Sequence, residues 1–430
     1  MKHKSLRLTL TAMAFAMAVP VFASEESPTL ESRLASLINV GQIDEARSLL
    51  ETSPHEKADR LLLEGRIHKV EGRFALASDI LEKALRLRPS DITIRRELAH
   101  TQYLTGQLGR AKFHLERLQR DDSSPILQKS YAGFLTKIYQ ERPLSFQANI
   151  TLEPSTNLTR GTSATVLATA GADIAISEES RSQSGVGLQV GLGANYNAFA
   201  SPNQRLSFGL EVRELRYSVK NDLGYTGTEI SLRYDLRQGR TRLSLQPYMR
   251  LQDRNDGLRT TSQGLRLNSD FTLSKRSLLL AETSVEHQKF RDASQRNGWS
   301  ASGNLGVKFQ ATKRTRMTFG IALESNKTNL PHHRYSGTGI FASIDSSLST
   351  GLNLSAKLSL GQRDFSDEFP LLGYARHDEF AQVTVSAWSP RWHIVGFSPT
   401  VSCSHVINTS NVTLYDYQAT GCQIGFSRNF

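Results

Sequence analysis

Six charged side chains lie where polar and apolar residues alternate. All six could form ion pairs, and the arginines among them could instead hold an anion. The six are Arg233, Asp235, Arg242, Arg250, Arg266 and Asp270. Side chains of a strand alternate faces with period two, so these six share the polar faces of their strands. Two roles are open for the arginines. They could bind acidic segments of a partner, or they could pair with Asp235 and Asp270.

The alternation that carries these charges runs through the second half of the chain. It starts at LSFQANITLE (144–153) and returns in about 14 strand-length segments, the last being TGCQIGFSRNF (420–430). One face is apolar and the other holds Arg, Asp, Gln, Asn, Ser and Gly, so the second face cannot form the core of a sandwich. Strands with apolar exteriors and polar interiors predict a closed barrel in lipid, where unpaired backbone groups are too costly. A soluble β-rich domain is the alternative.

The last strand ends with an aromatic residue on its apolar face. Ile424, Phe426 and Phe430 share that face. This pattern resembles the C-terminal signal of bacterial outer-membrane proteins, which the barrel-insertion machinery reads. It implies that machinery and outer-membrane lipid as partners, and the bacterial outer membrane as the location.

The chain has two cysteines, Cys403 and Cys422, and both have the parity of the apolar face on the last two strands. A disulfide is allowed outside the cytoplasm. The alternative is a pair of small side chains facing lipid. Both interpretations stay open.

The first residues read as an export signal. A basic start with Lys2, Lys4 and Arg7 precedes the apolar stretch 8–23, which ends in small residues. We expect a signal peptide over residues 1–23. The formal net charge is +11. Because an exported chain seldom meets nucleic acid, this charge favours acidic partners, lipid headgroups or a basic cavity.

Residues 24–140 predict a helical domain built from repeats. GQIDEARSLL (41–50), GRFALASDIL (72–81) and GQLGRAKFHL (106–115) echo one another, and each has Gly five residues before Ala. This spacing is typical of tetratricopeptide repeats, in which small residues let paired helices approach and a proline ends the second helix. The repeat-packing residues are Gly41, Ala46, Gly65, Gly72, Ala77, Ala84, Pro89, Gly106 and Ala111. A plain helical bundle is the alternative.

These features predict an α+β multidomain chain. Tetratricopeptide-like helices (24–140) precede a transmembrane antiparallel β-barrel (141–430). If the strand number is even, both barrel ends lie on the periplasmic side with the helical domain. The longest connection, 153–185, would then be extracellular. It could be a mobile surface loop, a plug in the lumen or a contact for cargo.

Catalysis is not expected. The sequence has no nucleophile elbow. GLGANYN (191–197) is rich in glycine, but it lies within a strand and opens no helix, so it is not a phosphate loop. His332 and His333 lie in a turn, which favours a solvated loop over a paired metal-ligand motif. A catalytic set assembled only in space stays open. We expect no cofactor.

The junction FLTKIYQERPLSFQANITLEPSTNLTRGTS (134–163) carries the most local family resemblance. Its passage from last helix to first strand, followed by a turn with Asn157, Arg160, Gly161 and Thr162, resembles the surface lipoprotein assembly modulators of type XI secretion. The resemblance implies an outer-membrane translocator. Its partner would be a surface lipoprotein or a small secreted barrel protein, carried from periplasm to cell surface.

Two other functions fit the sequence. A basic lumen could make an anion-preferring diffusion pore. Helical repeats joined to a barrel could also form an exopolysaccharide export porin, although such repeat arrays tend to be longer.

Overall fold

A computed structural model describes residues 30–54, 56–122, 124–169, 171–219, 221–312, 314–348, 352–370, 372–389 and 397–429. The expected signal peptide (1–23) and Phe430 lie outside them. The chain divides into two compact units at Pro54. Among the described residues, the first unit contains two helices, and the second contains the remaining helices and the barrel.

The described residues contain seven α-helices. They are α1 Leu30–Asn39, α2 Ile43–Thr52, α3 Lys57–Val70, α4 Phe74–Leu87, α5 Ile92–Leu104, α6 Leu108–Asp121 and α7 Pro125–Glu141. None of them is both long enough and apolar enough to cross a bilayer. Within the second unit each helix packs against the next, from α3 to α7.

Glycine lets the chain reverse direction between paired helices. Gly41, Gly72 and Gly106 have φ angles of 81°, 76° and 72°, in the left-handed region that other residues resist. After the second pair, α4 ends at Leu87, two residues before Pro89. The three echoing segments of the sequence therefore mark three helix–turn–helix units.

Small residues lie where helices approach closely. Ala46, Ala77, Ala84 and Ala111 are fully buried. A Cβ atom at Gly65 of α3 would lie 2.6 Å from Cγ of Leu81 in α4. These positions are consistent with tetratricopeptide packing, which stays a prediction.

In the described part of the chain, fourteen antiparallel strands close into one barrel, as the sequence predicted. The wall is formed by β1 Leu144–Ser155, β4 Gly185–Ala200, β5 Gln204–Tyr217, β6 Tyr225–Gln238, β7 Thr241–Arg254, β8 Arg259–Ser274, β9 Ser277–Phe290, β10 Gly298–Gln310, β11 Thr315–Thr328, β12 Tyr335–Ser347, β13 Asn353–Glu368, β14 Ala375–Trp388, β15 Ser398–Ser410 and β16 Tyr417–Asn429. Each strand pairs with the next, and β16 pairs with β1, so the sheet has no free edge.

The exterior of the wall is apolar. Leu192 is 61% exposed and Ile340 is 59% exposed, and Leu and Val side chains of other strands are exposed on the same side. At the closure Ile150 pairs with Phe426 and Leu152 with Ile424. Such an exterior matches the hydrocarbon of a bilayer.

The two cysteines are bonded. Cys403 of β15 and Cys422 of β16 lie opposite each other, with their Cα atoms 4.0 Å apart, and a disulfide joins them. Both occupy the apolar exterior face, next to the strand that closes the barrel.

The long connection after β1 is a folded loop. It contains a short hairpin, β2 Val166–Ala168 with β3 Asp173–Ala175. Leu167 and Ile176 are buried there. Whether it contacts cargo stays a hypothesis.

Candidate functional site

One part of the lumen wall is braced by a network of charges. Arg250 lies 3.1 Å from Glu229 and 3.5 Å from Glu286, and Arg266 lies 2.7 Å from Glu229. Tyr248 donates a hydrogen bond of 2.5 Å to Glu286, and the Arg266 guanidinium lies 3.7 Å from the centre of its ring. These five side chains come from the adjacent strands β6 to β9. They therefore cross-link four strands of the wall.

The partners of the lumen arginines differ in part from those expected. Arg233 pairs with Asp235 at 2.9 Å, as one of the two sequence interpretations proposed. Arg250 and Arg266 instead pair with glutamates. Within the described residues Asp270 forms no ion pair, and Arg242, its neighbour across β7 and β8, bonds to the helices. The strand register brings Arg242 and Asp270 opposite each other, but the helix competes for the guanidinium.

A second part of the wall is poor in charge. On β15, β16, β1 and β4 the inward positions are the ones that alternate with the exposed apolar residues. In those strands they carry mostly Gly, Ser, Thr, Asn and Gln, with Glu153 the one charged residue among the described positions. The closing sector of the wall is therefore lined mainly by small, uncharged side chains.

Three arginines mark the end of the barrel next to the helices. We call this end, where β1 begins and β16 ends, the helix-side mouth. Arg205, Arg242 and Arg316 are each the second residue of a strand that starts at this mouth, in β5, β7 and β11.

All three arginines bond to α6 or α7. Arg205 donates to the Tyr139 hydroxyl at 2.6 Å, and Arg316 donates to Asp121 at 2.7 Å. Arg242 donates to the backbone oxygen of Gln119 and contacts Gln128 at 3.4 Å. The mouth therefore holds the helices through charge-assisted hydrogen bonds.

A fourth contact and a buried cluster complete the docking. The Arg117 guanidinium lies 5.1 Å from the ring centre of Trp388, the last residue of β14. Ala200, the last residue of β4, belongs to the same buried cluster as Leu115 and Leu135 of the helices. The helical core thus continues into the edge of the barrel.

The docking contacts are spread around the barrel. Counted from β1 along the closed wall, β5, β7, β11 and β14 are strands three, five, nine and twelve of 14. The last two turns of α6, from Glu116 to Asp121, reach all four, because Glu116 also lies 4.0 Å from Arg205 of β5. One helix end can contact such separate strands only if it lies across the opening.

The end of α6 brings several cations around one carboxylate. Asp121 lies 3.5 Å from Arg117 and 2.7 Å from Arg316. Burial, with the nearby charge of Arg316, holds the pKa of Arg117 below its usual value. Arg95 is 5% exposed, and its burial and the charge of Arg117 lower its pKa to about 9. The cluster is therefore short of negative charge.

A histidine next to this cluster is held neutral. His114 Nδ1 lies 3.3 Å from Nη1 of Arg95, so Nδ1 accepts that hydrogen bond. Burial and the charges of Arg95, Arg117 and Arg110 lower the pKa of His114 to about 3. Protonation would cost the Arg95 contact and add a charge to a cationic region.

The turn with Asn157, Arg160, Gly161 and Thr162, at the start of the long loop after β1, has a structural role. Asn157 is 3% exposed, and its amide donates to the backbone oxygens of Gly161 at 2.8 Å and Gln418 at 3.0 Å. Arg160 has a φ of 51°, and a Cβ at Gly161 would lie 2.2 Å from the Ser180 oxygen. Thr162 bridges to Arg181. The motif therefore ties the base of the loop to β16.

Sequence reasoning named Arg242 as a lumen charge but missed Arg205 and Arg316, the other two arginines that hold the helices. Arg205 and Arg316 have the same parity as the recognised lumen charges, and each follows a helix-side turn by two residues. That repeated placement was a usable signal. Their helical partners, such as Asp121, carry no sequence signal because contact depends on how α6 docks. Among the described residues, no group of three His, Cys, Asp or Glu side chains is placed to hold a metal ion.

A family model described as surface lipoprotein assembly modifier matches residues 145–430. No curated protein matches the chain. The chain is similar in structure to OprD of Pseudomonas aeruginosa at 7% identity, covering 67% of this chain and 95% of that one with a TM-score of 0.35. It is also similar to OccAB3 of Acinetobacter baumannii at 9% identity, covering 67% and 99% with a TM-score of 0.37. These structural likenesses are too weak to carry an inference about activity.

Proposed function

Because this chain belongs to the surface lipoprotein assembly modifier family, we propose that it moves a client protein from the periplasm to the cell surface. The barrel lies in the outer membrane, as its family and its closed apolar wall indicate. The proposed client is a surface lipoprotein or a small secreted barrel protein. The proposal puts the helical domain in the periplasm and assigns the chain no catalytic step and no cofactor.

The observation that supports this proposal is the end of α6 lying across the helix-side mouth. It is attached by side chains, chiefly Arg205, Arg242 and Arg316. Such hydrogen bonds contribute modestly because water can replace them when the helix leaves. A client that binds the helical domain better in an undocked arrangement would shift the equilibrium towards an open mouth.

The charge-poor sector of the wall supports the same function. The inward residues of β15, β16, β1 and β4 are mostly Gly, Ser, Thr, Asn and Gln, so they place few bulky or charged groups along one side of the lumen. An extended polypeptide needs such a path. A barrel of this size lies between the filled eight-strand case and the wider porins, so a folded domain would not fit without remodelling.

A covalent lock between α6 and the wall tests the gate. We would replace Asp121 and Arg316 by cysteine in one variant, co-express it with surface lipoproteins of the same genome, and link the two thiols with a bismaleimide that contains a reducible disulfide. A linker is needed because an arginine–aspartate pair spans more than the ~7 Å between Cα atoms that a direct disulfide allows. Once the thiols are linked, the barrel should remain in the membrane but client display, measured by protease accessibility on intact cells, should be lost. Reductant should restore display, and each single cysteine variant should display normally.

If the locked variant still displayed the client fully, the client would not need α6 to leave the helix-side mouth, and the gating role of α6 would be wrong. The wild type treated with the same reductant controls for the native disulfide. The design thus separates loss of insertion from loss of gating.

The ring of arginines favours a second candidate, a diffusion pore for small anions. Arg205, Arg242 and Arg316 place positive charge at one mouth, and positively charged pores select anions. This candidate gives the helical domain no role. Removal of residues 24–140 should leave anion conductance in a planar bilayer unchanged if the pore is the whole function, whereas the transport proposal expects this deletion to abolish client display.

A further inference from the structure

A cavity of about 330 Å³ lies between the helices and the wall at the helix-side mouth. Its helical side is formed by α6 and α7, including Gln119, Thr136 and Tyr139. Its other side is formed by the ends of β5 to β8 and by the turn at residues 201–203. The volume is at the small end of the range for ligand pockets.

Positive charge dominates the lining. Five arginines and three acidic residues line the cavity, namely Arg120, Arg205, Arg233, Arg237, Arg242, Glu116, Asp235 and Asp270. Asp235 is shared by Arg205 at 2.6 Å and Arg233 at 2.9 Å. Glu116 accepts a hydrogen bond of 2.6 Å from Tyr139. Asp235 and Glu116 are therefore already engaged, whereas Asp270 lies opposite Arg242 across β7 and β8 and forms no ion pair within the described residues.

Three arginines of the lining have no carboxylate partner. Within the described residues neither Arg120 nor Arg237 nor Arg242 forms an ion pair, and the acceptors of Arg242 are neutral oxygens of Gln119 and Gln128. Guanidinium groups offer several donors in a planar fork that matches phosphate. Their convergence on one cavity favours an oxyanion.

Two buried polar atoms of the same lining lack a hydrogen-bond partner. They are Nη1 of Arg237 and Oγ of Ser244. A buried donor without a partner costs about 1–3 kcal/mol, so native proteins usually satisfy it. A ligand that brings acceptor oxygens would satisfy both after a small shift.

We propose that this cavity is a binding site for a phosphate-class oxyanion, either a free phosphate or the phosphate of a lipid headgroup. The ligand would contact Arg237 and Arg242 on the wall and Arg120 on α6. It would therefore bind only while α6 is docked, and by mass action it would stabilise the docked arrangement. The cavity is too small for a peptide segment, which is why an acidic stretch of a client is the weaker occupant.

The test is calorimetric titration of the mature chain in detergent with inorganic phosphate, at constant ionic strength set by chloride. We expect saturable binding that Arg237→Gln weakens at least tenfold. Arg237 makes no side-chain ion pair, so this variant should fold. Ser244→Ala should weaken binding severalfold and gives a second, conservative readout.

Arg276→Gln is the matched control. Arg276 is exposed on the turn between β8 and β9, outside the cavity, and its loss should leave phosphate binding unchanged. A second titration with glycerol 3-phosphate distinguishes the sources, because tighter binding than that of phosphate identifies a lipid headgroup, and equal or weaker binding identifies free phosphate.

Either of two results would overturn the site. One is a phosphate-binding isotherm of Arg237→Gln that equals that of the wild type. The other is a wild-type chain that binds no phosphate, whether or not a glutamate-rich peptide binds to the cavity arginines. Neither result bears on client transport, so the proposed function would stand or fall separately.

Discussion

Arg316 of β11 donates a hydrogen bond of 2.7 Å to Asp121 of α6, although the two residues are 195 positions apart in the chain. The bond joins the wall to the end of the helix that lies across the helix-side mouth. Asp121 is also 3.5 Å from Arg117, so one carboxylate serves two cations. Its loss would leave those cations facing each other.

Breaking this bond should open the mouth more often. Both side chains are partly exposed, so we assign the pair about 1 kcal/mol, which corresponds to about a fivefold larger open population. Asp121→Asn should therefore raise the conductance of the purified protein in a planar bilayer. Arg314→Gln, on the exposed turn just before β11, should not change it.

The reversed pair, with arginine at position 121 and aspartate at position 316, provides a further check. The reversed pair restores the attraction between α6 and β11 but moves positive charge towards Arg117. Its conductance should therefore lie between that of Asp121→Asn and that of the wild type. Equal conductance of wild type and Asp121→Asn would contradict a latch at this position.

His114 should make the helical domain less stable in acid. The pKa of His114 is about 3 in the folded chain and about 6.5 when unfolded, so the unfolded state binds more protons between these values. Its contribution is complete above pH 6.5 and is lost as the pH falls, by about 2 kcal/mol at pH 5. Helical melting followed by circular dichroism from pH 7 to pH 4 measures this loss.

His114→Gln separates this effect from general acid unfolding. Glutamine keeps an acceptor for Arg95 but does not titrate. The variant should therefore show a shallower fall in melting temperature below pH 6.5. A slope as steep as that of the wild type would mean that other groups cause the acid sensitivity.

Gly65 should be the glycine of the helical domain that least tolerates a side chain. The added Cβ of Gly65→Ala would lie 2.6 Å from Cγ of Leu81, which is fully buried and cannot easily move. Overpacking of this kind costs about 1–3 kcal/mol, partly offset by about 1 kcal/mol of helix propensity. Thermal melting of the helices should show the net loss.

Gly133 of α7 is the matched control. A Cβ at Gly133 would meet no atom within 4 Å, so Gly133→Ala should stabilise the helices by about 0.5–1 kcal/mol. Similar melting temperatures for the two variants would show that Gly65 is not a packing position.

The sequence predicted the wall of the barrel better than what fills its mouth. Period-two alternation is local, and it was enough to place the exterior and lumen faces, to count the strands and to put Arg233 and Asp235 on one side. The pairing of Arg250 and Arg266 with glutamates needed the strand register, which alternation does not fix. The bonds from Arg205, Arg242 and Arg316 to the helices depend on rigid docking of α6, for which no short stretch of sequence carries information.

Asn157 should fix the long loop after β1. Asn157→Ala removes the hydrogen bonds to Gly161 and Gln418 and leaves the backbone oxygen of the buried Gly161 unpaired, at about 1–3 kcal/mol. Trypsin added to intact cells should then cleave at Arg160 or Arg181 several times faster. Thr169→Ala, which removes only bonds within the loop tip, should keep the wild-type rate.

The disulfide should stabilise the barrel next to its closure. Cys403 and Cys422 are 19 residues apart, and closing a loop of that length removes entropy from the unfolded chain worth about 3 kcal/mol in the simplest model. Replacing both cysteines by alanine should lower the urea midpoint in detergent, and reductant should lower that of the wild type equally while leaving the variant unchanged. Because β16 also pairs with β1, a weaker β15–β16 hairpin should loosen the closure itself. An unchanged midpoint in both experiments would show that the paired strands alone hold this part of the wall.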